Sequence, residues 1–161
     1  LAAQFAAHTA HRRYLAIVWD HGLPEEGTVE TFHGRHPNDR RKFTGLHKNG
    51  KRAVSHWQII ERIRPCALVE CRLETGRTHQ IRVHFAEMGH PLVGDPLYGR
   101  KRRIERPVQM RQAGFELGLK RQALHAAELG FEHPVSGEWL KFESPMPTDM
   151  TDRLELLRRY E

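Results

Sequence analysis

Residues 73–99 concentrate the side chains of this 161-residue chain that could hold an anion. Arg77 and Thr78 follow a turn at Gly76 and stand at the predicted start of a helix, where free backbone N–H groups and the helix dipole favour a negative charge. Arg82 follows one turn later, on the same side as Thr78. This pattern predicts a site for a phosphate or a carboxylate, although a surface helix with solvated arginines has the same spacing.

Twelve histidines and two cysteines could ligate a metal, but their spacing argues against it. His79 and His84 are five residues apart and so lie on different faces of a helix, and the chain holds no His-Glu-x-x-His or Cys-x-x-Cys motif. Cys66 and Cys71 have the same odd spacing, which in a strand puts them on opposite faces about 16 Å apart, too far for a disulfide. We therefore expect no metal site, and a metal-dependent hydrolase is disfavoured.

Composition limits the class of protein further. The chain has 26 Lys and Arg against 20 Asp and Glu, which gives a formal charge of +6. With 39% apolar and 29% charged residues it is predicted to be neither membrane-embedded nor disordered, and no apolar run reaches the roughly 18 residues of a spanning helix. Two free thiols in a basic chain without a secretory signal indicate the reducing cytoplasm. Because the sequence begins with Leu1 and not Met, we expect an incomplete chain.

Apolar periodicity predicts the elements that must position these groups. Short apolar or alternating runs predict strands at 14–19, 53–63, 67–73, 126–131 and 139–142, the last two as a hairpin. The i, i+4, i+7 spacing of Ile81, Phe85 and Met88 predicts a helix that starts near Thr78 and ends at Gly89.

Two more helical segments and one loop complete the prediction. A last helix follows Pro147, with Thr148 as its cap and Met150, Leu154 and Leu157 on its buried face. Residues 1–5 indicate the end of a helix, and residues 100–120 a mobile basic loop. The sum is one α+β domain over residues 1–161, dominated by an antiparallel mixed sheet with a few flanking helices.

Residues 34–52 form a strongly basic segment of predicted short strands and turns. It holds a single Asp and seven cations, namely Arg35, Arg40, Arg41, Lys42, Lys48, Lys51 and Arg52. Loop and edge cations of this kind grip the phosphates of nucleic acids, whereas the simpler alternative is a solubilising surface. The local imbalance favours contact with RNA.

Several ordered motifs carry a resemblance that covers nearly the whole chain. Residues 76–84 read Gly-Arg-Thr-His-Gln-Ile-Arg-Val-His, and residues 90–99 read His-Pro-Leu-Val-Gly-Asp-Pro-Leu-Tyr-Gly. Arg-Tyr-Leu-Ala at 13–16, Arg-Gln-Ala-Leu-His-Ala at 121–126, His-Pro at 133–134 and Pro-Met-Pro at 145–147 stand in the matching order. Together they resemble the RluA family of RNA pseudouridine synthases.

The resemblance implies a fold, an activity and a substrate. Such isomerases break the bond between uracil N1 and the ribose, turn the base, and join C5 to the sugar, with no cofactor and no metal. It further implies a monomer acting on large-subunit ribosomal RNA, with tRNA as another possible substrate. A target uridine in folded RNA must be extruded to reach an enclosed pocket.

The family's central aspartate, in a His-Arg-Leu-Asp motif, has no counterpart among the five Asp of this sequence. By family order the motif would precede Leu1, so the chain resembles the C-terminal part of a catalytic domain and is expected to be inactive alone. The alternative is an RNA-binding fragment without catalysis of its own.

Two partners of the missing aspartate carry over by resemblance. Tyr14 matches the tyrosine that stacks on the target base and assists removal of the C5 proton, although a Tyr at the head of an apolar strand is by default core packing. Arg82 matches the arginine that pairs with the catalytic Asp and keeps it ionised. Arg77, His79 and Gln80 would orient the loop or touch RNA. Asp95, in its Gly-Asp-Pro turn, is expected to be structural.

Overall fold

The computed structural model describes residues 4–5, 7, 9–99 and 118–159. Seven strands of this part form one sheet in the order β3-β2-β4-β5-β1-β6-β7. The strands are β1 (His11–Trp19), β2 (Glu26–Arg35), β3 (Phe43–Thr44), β4 (Lys51–Ile63), β5 (Cys66–Leu73), β6 (Leu124–Glu132) and β7 (Trp139–Glu143). All neighbouring strands are antiparallel, which confirms the predicted α+β class.

Two helices cover opposite faces of this sheet, α1 (Gln80–Glu87) and α2 (Thr148–Arg158). Ile81 and Phe85 of α1 pack with Ala67, Val69 and Cys71 of β5. On the other face, α2 buries Met150, Leu154 and Leu157 against a cluster that includes Cys66 and Leu68. Strand β5 is therefore covered on both sides, so Leu68 lies in a core and not on the mostly charged face that simple alternation predicts.

The two cysteines lie in different cores, as their odd spacing predicts. Cys66 belongs to the cluster under α2 and Cys71 to the cluster under α1, and both thiols are free and buried. Burial raises the pKa of both thiols well above the usual range. They are therefore packing residues with no reactive thiolate near neutral pH.

Two predicted helix starts are wrong, strand β1 begins at His11 and not at residue 14, and one strand is missing from the prediction. Helix α1 begins at Gln80 and not at Thr78, because His79 adopts a left-handed conformation (φ 60°) and serves as its N-cap residue. In α2 the N-cap is Pro147, so Thr148 is the first helical residue and makes no side-chain cap. Strand β2 was not predicted, since its alternate positions are only half-buried and mostly polar. The predicted loop at 100–120 lies mostly outside the described residues, as does most of the helix at 1–5.

Residues 34–52 connect β2 to β4 and include β3; we call them the basic hairpin. The hairpin is attached to the end of α1, because Glu87 Oε1 accepts hydrogen bonds from the Thr44 hydroxyl (2.7 Å) and from the Gly45 N–H (3.0 Å). Within the described residues, no helix is both long and apolar enough to cross a membrane.

Candidate active site

Tyr14 and Arg82, the two catalytic residues predicted by resemblance, line the same cleft. This active-site cleft has a volume of about 290 Å³, and its other walls are formed by Leu73, Arg77, His79, Gln80, Ile81, Gln122 and Leu124. Tyr14 lies on β1, where the pairing with β6 shifts register between Arg13 and Tyr14. Such an irregularity re-aims a side chain relative to a regular strand. The fold thus brings together two residues that are far apart in the chain.

Arg82 is held by a buried carboxylate of this chain. Its Nε donates to Asp95 Oδ2 at 2.8 Å and its Nη2 to Asp95 Oδ1 at 3.0 Å, a bidentate pair. The two side chains are only 10% and 0% exposed. The guanidinium also lies 5.0 Å from the centre of the Tyr98 ring, within the range of a cation–π contact. The orientation of Arg82 is therefore fixed, and Nη1 is the nitrogen that the Asp95 pair does not use.

Asp95 is organised to remain ionised. Besides Arg82, its Oδ1 accepts the backbone N–H groups of Leu97 (2.9 Å) and Tyr98 (3.0 Å). Burial alone would raise the pKa of Asp95, but these hydrogen bonds outweigh it and hold the pKa below its ordinary value. The carboxylate both shapes the turn after residue 94, as the sequence predicts, and orients Arg82, which the sequence does not reveal.

His79 joins the active-site cleft to the basic hairpin. Its Nδ1 lies 3.1 Å from the Tyr98 hydroxyl, which in turn accepts the backbone N–H of Phe43 at 2.9 Å. The His79 ring meets Phe43 and Tyr98 edge-on, with ring centres 5.7 Å apart in both pairs. Burial lowers the pKa of His79, with the Arg82 charge as a second cause, so the ring is neutral near pH 7. A left-handed conformation costs a non-glycine residue free energy, and this packing maintains it.

Gln80 orients the loop before α1 and is too deeply buried to touch RNA. Its side chain is almost fully enclosed, with Oε1 accepting the Arg77 N–H (2.9 Å) and the Thr75 hydroxyl (2.8 Å). Its Nε2 donates to the Val54 carbonyl and the Ser55 hydroxyl. The N–H of Arg77, predicted to be available to an anion, is thus already satisfied. Within this chain the bidentate partner of Arg82 is Asp95, a residue that the sequence assigns only to a turn.

The predicted RNA-binding residues lie on the basic hairpin or beside it, and their surroundings differ. Arg52 is bound by Glu30 (2.8 Å) and Glu74 (3.2 Å), which come from outside the segment. Arg41 pairs with Asp39 at 3.2 Å. The count of seven cations to one acid therefore overstates the free charge, because strand pairing brings Glu30 of β2 and Glu74, the residue after β5, against Arg52.

The remaining predicted cations are engaged less strongly. Arg35 donates to the carbonyl of Arg40 at 2.8 Å and lies over the Phe43 ring at 5.2 Å. Arg77 uses Nε to donate to the carbonyl of Arg52 at 3.0 Å. Lys42 and Lys51 each line a surface cleft. No group of three or more His, Cys, Asp or Glu among the described residues has the arrangement of a metal site.

Comparison with known proteins agrees with this geometry. Residues 1–87 match the family model described as RNA pseudouridylate synthase. A "Ribosomal large subunit pseudouridine synthase D" of Zymomonas mobilis is 47% identical over 151 residues, covering 93% of this chain and 46% of the relative. An "Uncharacterized RNA pseudouridine synthase YlyB" of Bacillus subtilis is 44% identical over 161 residues, covering 99% of this chain and 48% of the relative.

A solved structure supports the same assignment. The chain matches "Human RNA Pseudouridylate Synthase Domain Containing 4" with a TM-score of 0.74 and 25% identity, covering 98% of this chain and 66% of that one. The chain spans about half the length of the curated relatives it matches. The predicted resemblance is thereby confirmed: the chain belongs to the RNA pseudouridylate synthase family.

Proposed function

We propose that this chain is part of an RNA pseudouridine synthase, an isomerase that converts uridine to pseudouridine, with large-subunit ribosomal RNA as its substrate. One observation carries the proposal: Tyr14 and a rigidly held Arg82 line a single cleft. The names of relatives from Zymomonas mobilis and Xanthomonas campestris support the ribosomal substrate. The alternative substrate for the same reaction is tRNA.

The proposed roles follow from the geometry. The Tyr14 ring offers a stacking surface for the target base, and Arg82 presents Nη1 to the carboxylate that attacks or deprotonates the substrate. In the isomerisation the C1′–N1 bond breaks, a C1′–C5 bond forms, the C5 proton leaves to solvent, and N1 takes up a proton, so no atom is gained or lost. Asp95 already neutralises part of the Arg82 charge, so Arg82 acts as a fixed donor. Tyr14→Phe should accordingly slow the reaction less than Tyr14→Ala.

The attacking carboxylate must come from outside this sequence, which contains no His-Arg-Leu-Asp motif. We propose that residues 1–161 are the C-terminal portion of one catalytic domain, and that RNA phosphates contact the basic hairpin. Such a protein needs no cofactor. We further propose a monomeric, cytoplasmic enzyme; the free thiols support the reducing compartment.

The test compares this chain alone with a chimera in which it replaces the matching region of the Zymomonas mobilis relative. Release of tritium from RNA carrying 5-tritiated uridine reports the reaction. We expect no release above background from the chain alone and clear release from the chimera. Release by the chain alone would show that the missing aspartate is dispensable.

A second candidate is an RNA-binding fragment without catalysis, which the missing motif favours. Binding of RNA by the chain, together with a folded chimera that binds RNA but releases no tritium, would support this candidate against the enzyme.

A further inference from the structure

A second cleft, of about 420 Å³, lies between the basic hairpin and residues 76–78. We call it the hairpin cleft, and its polar walls are formed by His33, His47, Asn49, Lys51, Arg77 and Thr78. Arg77 also lines the active-site cleft, so the two clefts meet at the segment that leads into α1. A polymer seated in one is therefore close to the other.

Both walls of the hairpin cleft are fixed to each other. His33, which is 5% exposed, donates from Nε2 to the Thr78 carbonyl at 2.8 Å and ties β2 to the segment before α1. Arg77 donates from Nε to the Arg52 carbonyl at 3.0 Å and ties the same segment to β4. The cleft is thus formed before any ligand binds, which reduces the entropic cost of binding.

His47 is held in one orientation on the hairpin wall. Its ring lies against Gly34, where a Cβ would come within 2.4 Å of Cγ, so a larger residue at 34 would displace the ring. Its Nδ1 accepts the backbone N–H of Asn49 at 3.2 Å. In the neutral ring Nε2 therefore carries the proton and is a hydrogen-bond donor.

The charge of the cleft selects an anion. Lys51 and Arg77 contribute two cations, and none of the described residues that line this cleft is Asp or Glu. By contrast, Arg52 on the adjacent strand position is matched by Glu30 and Glu74. The positive charge of Lys51 and Arg77 is therefore not neutralised by an acidic residue in the described lining of this cleft.

We infer that the hairpin cleft seats the RNA nucleotide next to the target uridine, with its phosphodiester on Lys51 and Arg77 and its base edge near His47 and Asn49. The inference rests on the proposed function, because the neighbouring cleft must hold the target. Arg77 and His47 are held in place and the wall is preformed, so the cleft is suited to one nucleotide, whereas the hairpin cations outside it attract RNA without fixing its register.

The test measures binding of oligouridylates of one to six nucleotides to the full 161-residue chain. As the oligouridylate is lengthened one nucleotide at a time, one addition should fill the hairpin cleft. At that addition we expect affinity to rise about tenfold, as a charge-assisted hydrogen bond would give, and we call this rise the step. Lys51→Ala should remove this step. Lys48→Ala is the matched control. Lys48 carries the same charge, lies three positions before Lys51, is exposed, and does not line the cleft.

A neutral methylphosphonate at the linkage that produces the step identifies the phosphate. Wild-type protein should lose the step on this RNA, and Lys51→Ala should show no further loss, because both changes remove one interaction. Equal, small losses for Lys51→Ala and Lys48→Ala, or additive losses with the methylphosphonate, would overturn the inference.

A failure of the nucleotide site and a failure of the proposed function give different results. If the chimera converts uridine but Lys51→Ala binds like Lys48→Ala, the nucleotide site is wrong and the enzyme stands. If the step is present but the folded chimera releases no tritium, the nucleotide site stands without the enzyme.

Discussion

Arg82 and Arg52 both contact carboxylates, but one lies in a buried polar layer and the other on the exposed basic hairpin. The buried polar layer comprises Gln80, Arg82 and His84 of α1 together with Asp95. The Arg82–Asp95 pair is 10% and 0% exposed, whereas the Arg52–Glu30 pair is 51% exposed on both sides. Burial makes an ion pair rigid and costly to break, while water and salt screen the exposed pair. The first region can therefore set geometry, whereas the exposed cations of the hairpin outside the hairpin cleft supply only diffuse attraction.

The largest effect is expected from Arg82→Ala, which leaves the buried Asp95 without its counter-charge. We expect the unfolding free energy to fall by about 3–5 kcal/mol. In the chimera, turnover should fall about a hundredfold or more with little change in RNA affinity, since a fixed donor at the reacting groups is lost. Urea unfolding, single-turnover rates and binding constants measure the three quantities.

Arg82→Lys separates the loss of folding from the loss of chemistry. Lysine keeps the charge next to Asp95 but cannot make the planar bidentate contact, so it should restore stability more than turnover. If Arg82→Ala keeps near-normal turnover, or loses only RNA affinity, Arg82 is a phosphate ligand and has no role in the reaction.

The second prediction concerns His84, which is fully buried between two hydroxyl groups. Its Nε2 lies 2.8 Å from Thr31 Oγ1 and its Nδ1 lies 2.9 Å from Ser55 Oγ. Burial, with His33 nearby, lowers the pKa of His84 from 6.5 to about 4. The unfolded chain therefore binds a proton more readily, and stability present above pH 6.5 is lost as the pH falls toward 4.

The expected loss from His84 between pH 7 and pH 4 is about 3 kcal/mol. His84→Gln can retain a hydrogen bond but cannot titrate, so its unfolding free energy should depend less on pH by that amount. Urea unfolding of the wild-type protein and of His84→Gln at several pH values gives this difference. The contributions of the other histidines cancel because both proteins contain them. Parallel pH profiles for the two proteins would contradict the assignment.

The sequence predicts most of the elements that carry Arg82 and Arg52, but not the carboxylates that pair with these two arginines. Ile81 and Phe85 mark the buried face of α1 because apolar periodicity is local. Asp95 could be predicted to shape a turn, but its contact with Arg82 depends on where the chain returns after α1. Arg52 could be predicted to be exposed, but Glu30 reaches it only through the pairing of β2 with β4. Local patterns thus predict elements, whereas charge pairing requires the register between them.

The third prediction tests whether the basic hairpin binds phosphates. Each phosphate contact on single-stranded RNA contributes about −0.7 to the slope of log affinity against log salt, so replacing Arg40, Arg41 and Lys42 with Ala should flatten the slope by about two units. Replacing Arg153, Arg158 and Arg159 of the α2 region, on the other face of the sheet, removes the same charge and should leave the slope unchanged. An unchanged slope in the hairpin variant would identify those charges as solvated surface.

The smallest effect is expected from Arg52→Ala. Its guanidinium contacts Glu30 and Glu74 near the surface, where side-chain entropy and solvent screening cancel most of the attraction. The backbone carbonyl that holds Arg77 is unchanged by the substitution. The loss of stability should therefore be a small fraction of that for Arg82→Ala. It should disappear at 1 M salt, where the screening length is about 3 Å.

Arg52→Ala should also flatten the salt dependence of RNA binding less than Arg40→Ala, because the two glutamates already neutralise Arg52. Urea unfolding at low and high salt and a salt titration of RNA affinity check both points. A loss comparable to that of Arg82→Ala, or one that persists in 1 M salt, would mean that the exposed pair is a structural contact. The contrast between the rigid Arg82–Asp95 pair and the screened Arg52–Glu30 pair would then not hold.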